Sequence, residues 1–394
     1  MSTGPGSTLV HAGLAALRES VLPTYLRADL TIVRGEGCRV WDDGGRSYLD
    51  FGTGLAVVPL GHCEPRVTAA AHAQLDRLWH ISNLYWTEPM LRLAGLLTER
   101  LGGGQAFFCN SGAEANEAAL KYARKATGRT RIVALEGGFH GRTMGALAAT
   151  GQPAKWEGFG PLVPGVSFAP PNDVEALERV LSPGSDVAVV LLEPVLGEGG
   201  VIPLTPEFAR AAGEIAREVG ALLCVDEVQT GTGRSGSFFA FEQLALEPDL
   251  VTLAKGLANG LPIGALLVSP RAAGGIGPGD HGSTFGGNPV TCAAACAVVE
   301  AIDDELLANV RERAAQLQAG IARMAGVVEV RGLGLLLGVR LDRSVAPVVD
   351  ACRAQGLLVL SAGEDVLRLA PPLVVTADEV TEALGIVAGA LSTT

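Results

Sequence analysis

From Phe107 to about residue 270, short apolar runs alternate with stretches of helical periodicity, and this alternation restricts the fold more than any other feature. The strand-like runs are 107–109, 131–135, 187–192, 221–225 and 250–254, and helical patterns at 113–126, 174–181 and 206–219 separate most of them. Runs that are apolar throughout must be covered on both faces. The reading is therefore an α/β fold with a mainly parallel sheet flanked by helices. Composition supports it: 48% of the 394 residues are hydrophobic and 18% charged, which excludes a disordered chain and calls for a large core.

The two ends of the chain read differently. Residues 1–20 look like a polar start leading into a short helix. Runs at 30–33 and 38–41, the turn Asp42-Asp-Gly-Gly45 and the run 46–51 give a β-hairpin signature. Helical spacing follows at 66–78 and 90–101. Beyond Asn288 a long alanine-rich helix is expected to about Met324. Short strands at 327–330, 335–340, 357–360 and 366–369 and a last helix over 377–391 complete the chain. That tail reads as a smaller α+β domain packed with the N-terminal hairpin. The expected division is 1–55 and 288–394 for the small domain and 56–287 for the large one.

A net charge of −12 argues against nucleic acid or an anionic membrane as the main partner, so an anionic substrate must meet a local cationic pocket. The seven cysteines are scattered, with no histidine at ligand spacing near Cys292 and Cys296. They read as reduced, buried thiols rather than a metal site. With no signal peptide, no apolar run of membrane-spanning length and no lipidation motif, the expectation is a cytoplasmic protein.

Two of the strand-like runs end in charge. In Pro248-Asp-Leu-Val-Thr-Leu-Ala-Lys255-Gly256 the apolar stretch stops on an ammonium, and glycines follow at Gly256, Gly260 and Gly264. Only four of the 30 basic residues are lysines, and Lys255 alone leaves an apolar segment for a glycine-rich one. A lysine there can snorkel to water. If its charge is depressed by burial, it can instead attack a carbonyl and hold a Schiff base. The run ending at Asp226-Glu-Val228-Gln229 puts a carboxylate 29 residues earlier. That acid can be merely solvated, or it can keep a cationic ring nitrogen protonated as an electron sink. Neighbouring parallel strands joined by one crossover would bring both residues to one sheet edge, where such folds keep their ligands.

Other stretches carry weaker signals. Asn110-Ser111-Gly112-Ala113 breaks a strand into a helix, and its first N–H groups can bind an anion or serve as an ordinary cap. Phe139 and Arg142 sit in a glycine-flanked loop; the ring can cover a planar cofactor and the guanidinium can grip a carboxylate. The same residues can serve core packing and a surface ion pair. His140 reads as a structural hydrogen-bonding residue. Glu193 and Glu198 follow a strand, Ser283 and Thr284 supply hydroxyls to a flexible loop, and Arg368 lies in an apolar strand where an unpaired charge is costly. Gly231-Thr-Gly233-Arg234-Ser-Gly236 fits a dinucleotide-binding pattern, but Asp-Glu-Val-Gln intervenes after the strand and Ser-Phe-Phe-Ala-Phe follows, where a helix would have to open directly.

Taken together these residues resemble the class III (subgroup II) pyridoxal-phosphate aminotransferases, most of all the members acting on acetylornithine. The likeness is carried by Ser82-Asn-Leu-Tyr-Trp-Thr-Glu-Pro89, Asn110-Ser-Gly-Ala-Glu-Ala-Asn116, Phe139-His-Gly-Arg-Thr143, Asp226-Glu-Val-Gln-Thr-Gly231, Leu253-Ala-Lys-Gly256 and His281-Gly-Ser-Thr-Phe-Gly-Gly-Asn288. The resemblance implies fold type I, with a seven-stranded sheet, a small domain from both chain ends, and a homodimer that shares its active sites. It implies pyridoxal 5′-phosphate carried on Lys255, which also moves the proton, with Asp226 on the pyridine nitrogen and Gln229 on the ring hydroxyl. Phe139 would stack on the ring, with Val228 also at the cofactor. Ser111, Gly112 and Ala113 would hold the phosphate, helped by Thr284 from the partner subunit. Arg142, Ser283 and Tyr25 would meet the acylated substrate. Arg368 would take the α-carboxylate of glutamate, with Glu198 as its movable cover. The implied reaction moves the distal amine of N-acetylornithine to 2-oxoglutarate. Leu55, where ornithine aminotransferases look to carry a tyrosine, favours the acylated substrate. Other ω-amines, an aminomutase and a cofactor-loaded regulatory protein remain alternatives. Trp86 stands where the family usually has a tyrosine.

Overall fold

The computed structural model describes residues 17–182 and 184–394. Of the expected N-terminal helix, Leu17–Ser20 forms a single 3-10 turn and the remainder lies outside the described residues. Strands β1 (Ile32–Glu36), β2 (Arg39–Asp42) and β3 (Ser47–Asp50) make the expected antiparallel meander around the Asp42–Gly45 turn.

The large sheet uses β4 (Gln105–Cys109), β5 (Arg131–Leu135), β6 (Val166–Ala169) and β7 (Val187–Leu192). A small ribbon of β8 (Val195–Leu196) and β9 (Ile202–Pro203) follows. The sheet is completed by β10 (Leu222–Asp226), β11 (Leu250–Leu253) and β12 (Gly264–Val268). Its order is β4-β12-β11-β10-β7-β5-β6, parallel throughout except for β12, which runs antiparallel to both neighbours. All six residues of β7 are buried, as a strand covered on both faces must be. Helices Gly112–Thr127 and Pro206–Val219 pack on the sheet, each ended by a left-handed glycine, Gly128 and Gly220.

The C-terminal sheet is formed by β13 (Val327–Leu333), β14 (Leu336–Leu341), β16 (Leu360–Ser361) and β17 (Val366–Leu369), while β15 (Leu357–Leu358) pairs in parallel with β3. That last pairing joins an N-terminal strand to a C-terminal one. The long helix expected over 288–324 is in fact two. Asp303 caps a new start, its carboxylate accepting from Leu306 N at 2.9 Å, so the chain breaks between Pro289–Ala301 and Asp304–Ile321. The first helix buries Cys292, Ala295 and Val299 in the core of the large sheet, and the second buries Val310, Leu317 and Ile321 in the core of the small one.

Between β3 and the large domain the backbone makes an uncommon turn. Thr53, Gly54, Leu55 and Ala56 all have φ between 45° and 70°. Left-handed backbone costs roughly 1–2 kcal/mol at each non-glycine residue. Here Asp50 Oδ1 accepts from Gly52 N at 3.0 Å and Thr53 N at 2.8 Å, and Thr53 Oγ1 donates to Ala370 O at 2.7 Å. These bonds hold the turn, and Val57 just after it lines the cavity described next. Among the described residues no helix is long and apolar enough to cross a membrane.

Candidate active site

Strands β10 and β11 are neighbours in parallel register, with Asp226 opposite Thr252, so Asp226 and Lys255 reach the same carboxyl edge of the sheet. There they line one cavity of about 370 Å³ together with Ser111, Gly112, Ala113, Phe139, Arg142, Val228 and Gln229. Lys255 opens a 3-10 turn with φ of 42°, a left-handed value rare for a side-chain-bearing residue and characteristic of strained functional positions. Burial lowers the pKa of its amine, against the pull of Glu198, Glu193 and Asp226, which favour the charged form.

Asp226 is buried and held on both oxygens. Oδ2 accepts from Asn116 Nδ2 at 2.7 Å and lies 2.7 Å from His140 Nδ1, while Oδ1 accepts from Val228 N at 3.0 Å. Burial works against charge on His140, but Asp226 more than offsets it and raises the imidazole above its usual pKa. Burial pushes the Glu193 carboxyl up to about 7; it accepts from Phe139 N at 2.8 Å and so fixes the loop that carries the aromatic ring.

The Gly112–Thr127 helix points its N-terminus at the cavity, with Ser111 Oγ capping Glu114 N at 3.2 Å. The N–H groups of Gly112 and Ala113 have no intrahelical acceptor, and the helix dipole favours an anion there. A side chain at Gly112 would meet Val228 Cγ1 at 2.7 Å, and one at Gly141, whose φ is 139°, would meet Ala113 Cβ at 2.6 Å. Both positions are therefore bare so that backbone can come close.

At one side of this cavity Arg368 of β17 donates from Nη1 to Glu198 Oε1, to Gly197 O at 3.1 Å and to Gln229 Oε1 at 3.2 Å. Burial raises the Glu198 carboxyl, but Arg368 outweighs it and leaves Glu198 below its usual pKa. Arg368 Nε is buried without a partner.

A family model described as aminotransferase class-III matches residues 23–391. The chain is a class-III aminotransferase. Its fold is the type I fold that the sequence implied. Acetylornithine aminotransferase of Thermosynechococcus vestitus is 46% identical over 397 residues, covering 96% of each chain. The solved N-acetylornithine aminotransferase of Stenotrophomonas maltophilia K279a superposes with a TM-score of 0.82 at 38% identity, over 94% of this chain and 98% of that one. The ornithine aminotransferase of Toxoplasma gondii ME49 reaches a TM-score of 0.92 at 32% identity, over 97% and 95%.

The aminotransferase thus brings together in or beside one cavity Lys255, Asp226, Ser111, Gly112, Ala113, Phe139, Val228, Gln229, Arg142, Glu198 and Arg368. Ser283 and Thr284 line a neighbouring cavity of about 320 Å³, joined to the first through Asn110, whose Nδ2 donates to Ser283 Oγ at 3.2 Å. Tyr25 stands apart: it is 71% exposed and lines a groove with Val349 and Arg353, away from Lys255. Arg142 is on the exposed side, its guanidinium carbon 5.7 Å from the Phe139 ring centre.

Sequence reasoning missed Asn116. Its Nδ2 donates to Asp226 Oδ2 and, at 2.8 Å, to His140 O, while its Oδ1 accepts from Thr252 Oγ1 at 2.8 Å. The available signal was its place one helical turn after Gly112, the only large polar residue on a face of alanines. Asn116→Ala would leave three buried groups short of a partner, each worth about 1–3 kcal/mol. A fall in the urea midpoint corresponding to roughly 3 kcal/mol or more is expected. An unchanged midpoint would show that the buried network is not what holds Asp226.

Proposed function

We propose that this enzyme binds pyridoxal 5′-phosphate and moves the distal amine of N2-acetyl-L-ornithine to 2-oxoglutarate, giving N-acetyl-L-glutamate 5-semialdehyde and L-glutamate. The observation that carries the reading is an arginine, Arg368, covered by Glu198 beside Lys255 and Asp226. The cavity suits the cofactor. Gly112 and Gly141 leave a backbone cradle at a helix N-terminus for the phosphate, with Ser111 and Ala113 beside it. Phe139 and Val228 offer flat and apolar surfaces for a ring, and Asp226 is a fixed carboxylate for a ring nitrogen. Gln229 reaches the same space for the ring hydroxyl.

When bound, this cofactor supplies an aldehyde that takes up an amine and a pyridinium that withdraws electrons from the reacting carbon. Lys255 would hold it, and its Nζ would take and return the proton at that carbon. Asp226, fixed in place by Asn116, His140 and the Val228 N–H, would pair with the ring nitrogen. Arg142 and Ser283 receive the carboxylate and acyl end of the donor, and Arg368 receives the α-carboxylate of glutamate after Glu198 moves aside. A cytoplasmic setting fits this chemistry.

The reading extends to a homodimer with shared sites. Trp79, Leu84, Tyr85, Trp86 and Phe285 form an exposed apolar surface, and Asn83 and Asn288 tie that segment to the Thr284 loop. Contiguous exposed apolar surface marks an interface, and a second copy would bring Thr284 to the partner's phosphate cradle. Dilution in sedimentation experiments is expected to release cofactor as dimers separate; a monomer that keeps its cofactor would refute the sharing.

The reaction itself is tested with acetylornithine carrying ¹⁵N in the distal amine. The label is expected in the α-amine of glutamate. Label that returns to another carbon of its own substrate would mean an aminomutase, and transfer only from free ornithine or 4-aminobutyrate would mean another ω-aminotransferase.

A further inference from the structure

Arg234, from the glycine-rich stretch that resembles a dinucleotide motif, is 2% exposed, and no carboxylate pairs with it among the described residues. Burial alone pulls its guanidinium down to about 9, so it is still charged at neutral pH. Its Nε and Nη2 are buried without partners. A charge in such a place is costly, so the partners it does have carry weight.

What it serves is visible in strand register. β14 and β17 pair antiparallel with Gly338 opposite Arg368 and Leu337 opposite Leu369. Beyond these rungs the ladder ends, because Ala370 N donates to Phe51 O and Leu335 N to Arg234 O. Pro371 has no N–H to offer, so the carbonyls of Leu335 and Pro371 both need a donor from elsewhere. Arg234 Nη1 supplies it, donating to Leu335 O at 3.1 Å and to Pro371 O. Its backbone takes part too: Arg234 O accepts from Leu335 N at 2.9 Å. The hairpin turn sits directly on this loop. Gly334 has a φ of 54°, and a Cβ on it would lie 2.5 Å from Arg234 O.

We infer that Arg234 is a positioning residue for the acceptor half of the reaction: it ties the end of the β14–β17 ladder to the loop after Asp226–Gln229 and so sets where Arg368 stands relative to the cofactor cavity. The inference rests on the reading of Arg368 as the α-carboxylate site. Arg368 is only three residues from Pro371, on a strand whose backbone pairs with β14 and β16. Loss of the tie lets that strand shift against the large sheet, and a displacement of about 1 Å at a binding group can cost up to about a hundredfold in rate. The donor's carboxylate and acyl end meets Arg142, on a different loop, and does not depend on the tie.

The test uses full-length, cofactor-loaded enzyme and measures each half-reaction separately in Arg234→Met, Arg234→Lys and Arg368→Ala. Arg234→Met is expected to raise the apparent dissociation constant for glutamate roughly tenfold or more, and to leave that for acetylornithine within about twofold. Arg234→Lys, which keeps the charge and can reach one of the two carbonyls, is expected to fall between wild type and Met. It carries the test alone if the Met variant does not fold. Equal losses in both half-reactions, or no change in either, would overturn the inference. If Arg368→Ala is selective for glutamate and the Arg234 variants are not, only this inference fails. If Arg368→Ala is itself unselective, the acceptor-site reading fails and this inference with it.

Discussion

Lys255→Ala is expected to end turnover, by roughly 10⁴-fold or more, because two roles are lost at once. No other lysine lines the cavity: Lys121 and Lys125 are engaged with Asp280 and His281 on the helix surface, and Lys155 lies 5.8 Å from the Phe139 ring centre, outside the lining. The position is also prepared. Lys255 takes a left-handed φ of 42° after a strand with no exposed residue, so the amine leaves the sheet edge directly into the cavity. Burial lowers its pKa, which leaves more of the neutral nucleophile at working pH than an exposed lysine would offer. The variant should retain cofactor only non-covalently, so borohydride reduction, which fixes it to the wild-type chain, should fix none to the variant. Near-normal transamination by Lys255→Ala would sink the assignment.

The second large effect is expected at Arg368, and it should be lopsided. The donor offers a distal amine, with its carboxylate far from the reacting carbon, whereas glutamate offers an α-amine with a carboxylate beside it. One fixed arginine cannot serve both geometries. Arg368 is 2% exposed, and its only carboxylate partner among the described residues is Glu198, so it is compensated while the donor is bound. Glu198 lies between Gly197 and Gly199-Gly200, glycines whose missing Cβ atoms let Gln229 and Gly137 O pack close, so only the Glu198 side chain has to turn aside. Arg368→Ala should weaken the glutamate half-reaction by about 2–5 kcal/mol, the usual range for truncating a buried charged hydrogen-bonding group, and spare most of the donor half. Glu198→Ala should do the reverse, slowing the acetylornithine half while sparing or improving the glutamate half. Stopped-flow absorbance of the cofactor reads both. Equal losses in both halves for both variants would leave two cationic walls and no switch.

Much of this was legible because strand ends carry their own signals. Apolar runs stopping at Asp226 and Lys255 predicted one sheet edge, and β10 and β11 are indeed parallel neighbours. Two strands of the large sheet, β6 and β12, fall outside the runs that the sequence shows. The first is a four-residue edge segment, and the second follows Leu261-Pro-Ile263 so closely that no polar break marks its start. The helix break before Asp304 was overlooked because the alanine-rich periodicity runs past it, although Asp303 is an ordinary N-cap. Asn116 escaped for another reason: its three partners come from three separate segments, and only tertiary packing brings them within reach. Arg234 looked like part of a decoy, since its partners Leu335 and Pro371 are more than 100 residues away. The link between the Thr284 loop and the segment near Trp86 also escaped, since it runs through Asn83 and Asn288, each bonded to a residue about 200 positions away.

The central claim is that one cleft accepts a distal amine and an α-amine in turn. It is tested most directly by mixing wild-type holoenzyme with one substrate at a time and following the cofactor absorbance. N2-acetyl-L-ornithine alone and L-glutamate alone should each convert the aldehyde form fully to the amine form, acetylornithine faster than free ornithine or 4-aminobutyrate, and 2-oxoglutarate should restore it. Conversion by free ornithine but not by its acetylated form, or an amine form that 2-oxoglutarate does not restore, would contradict the account.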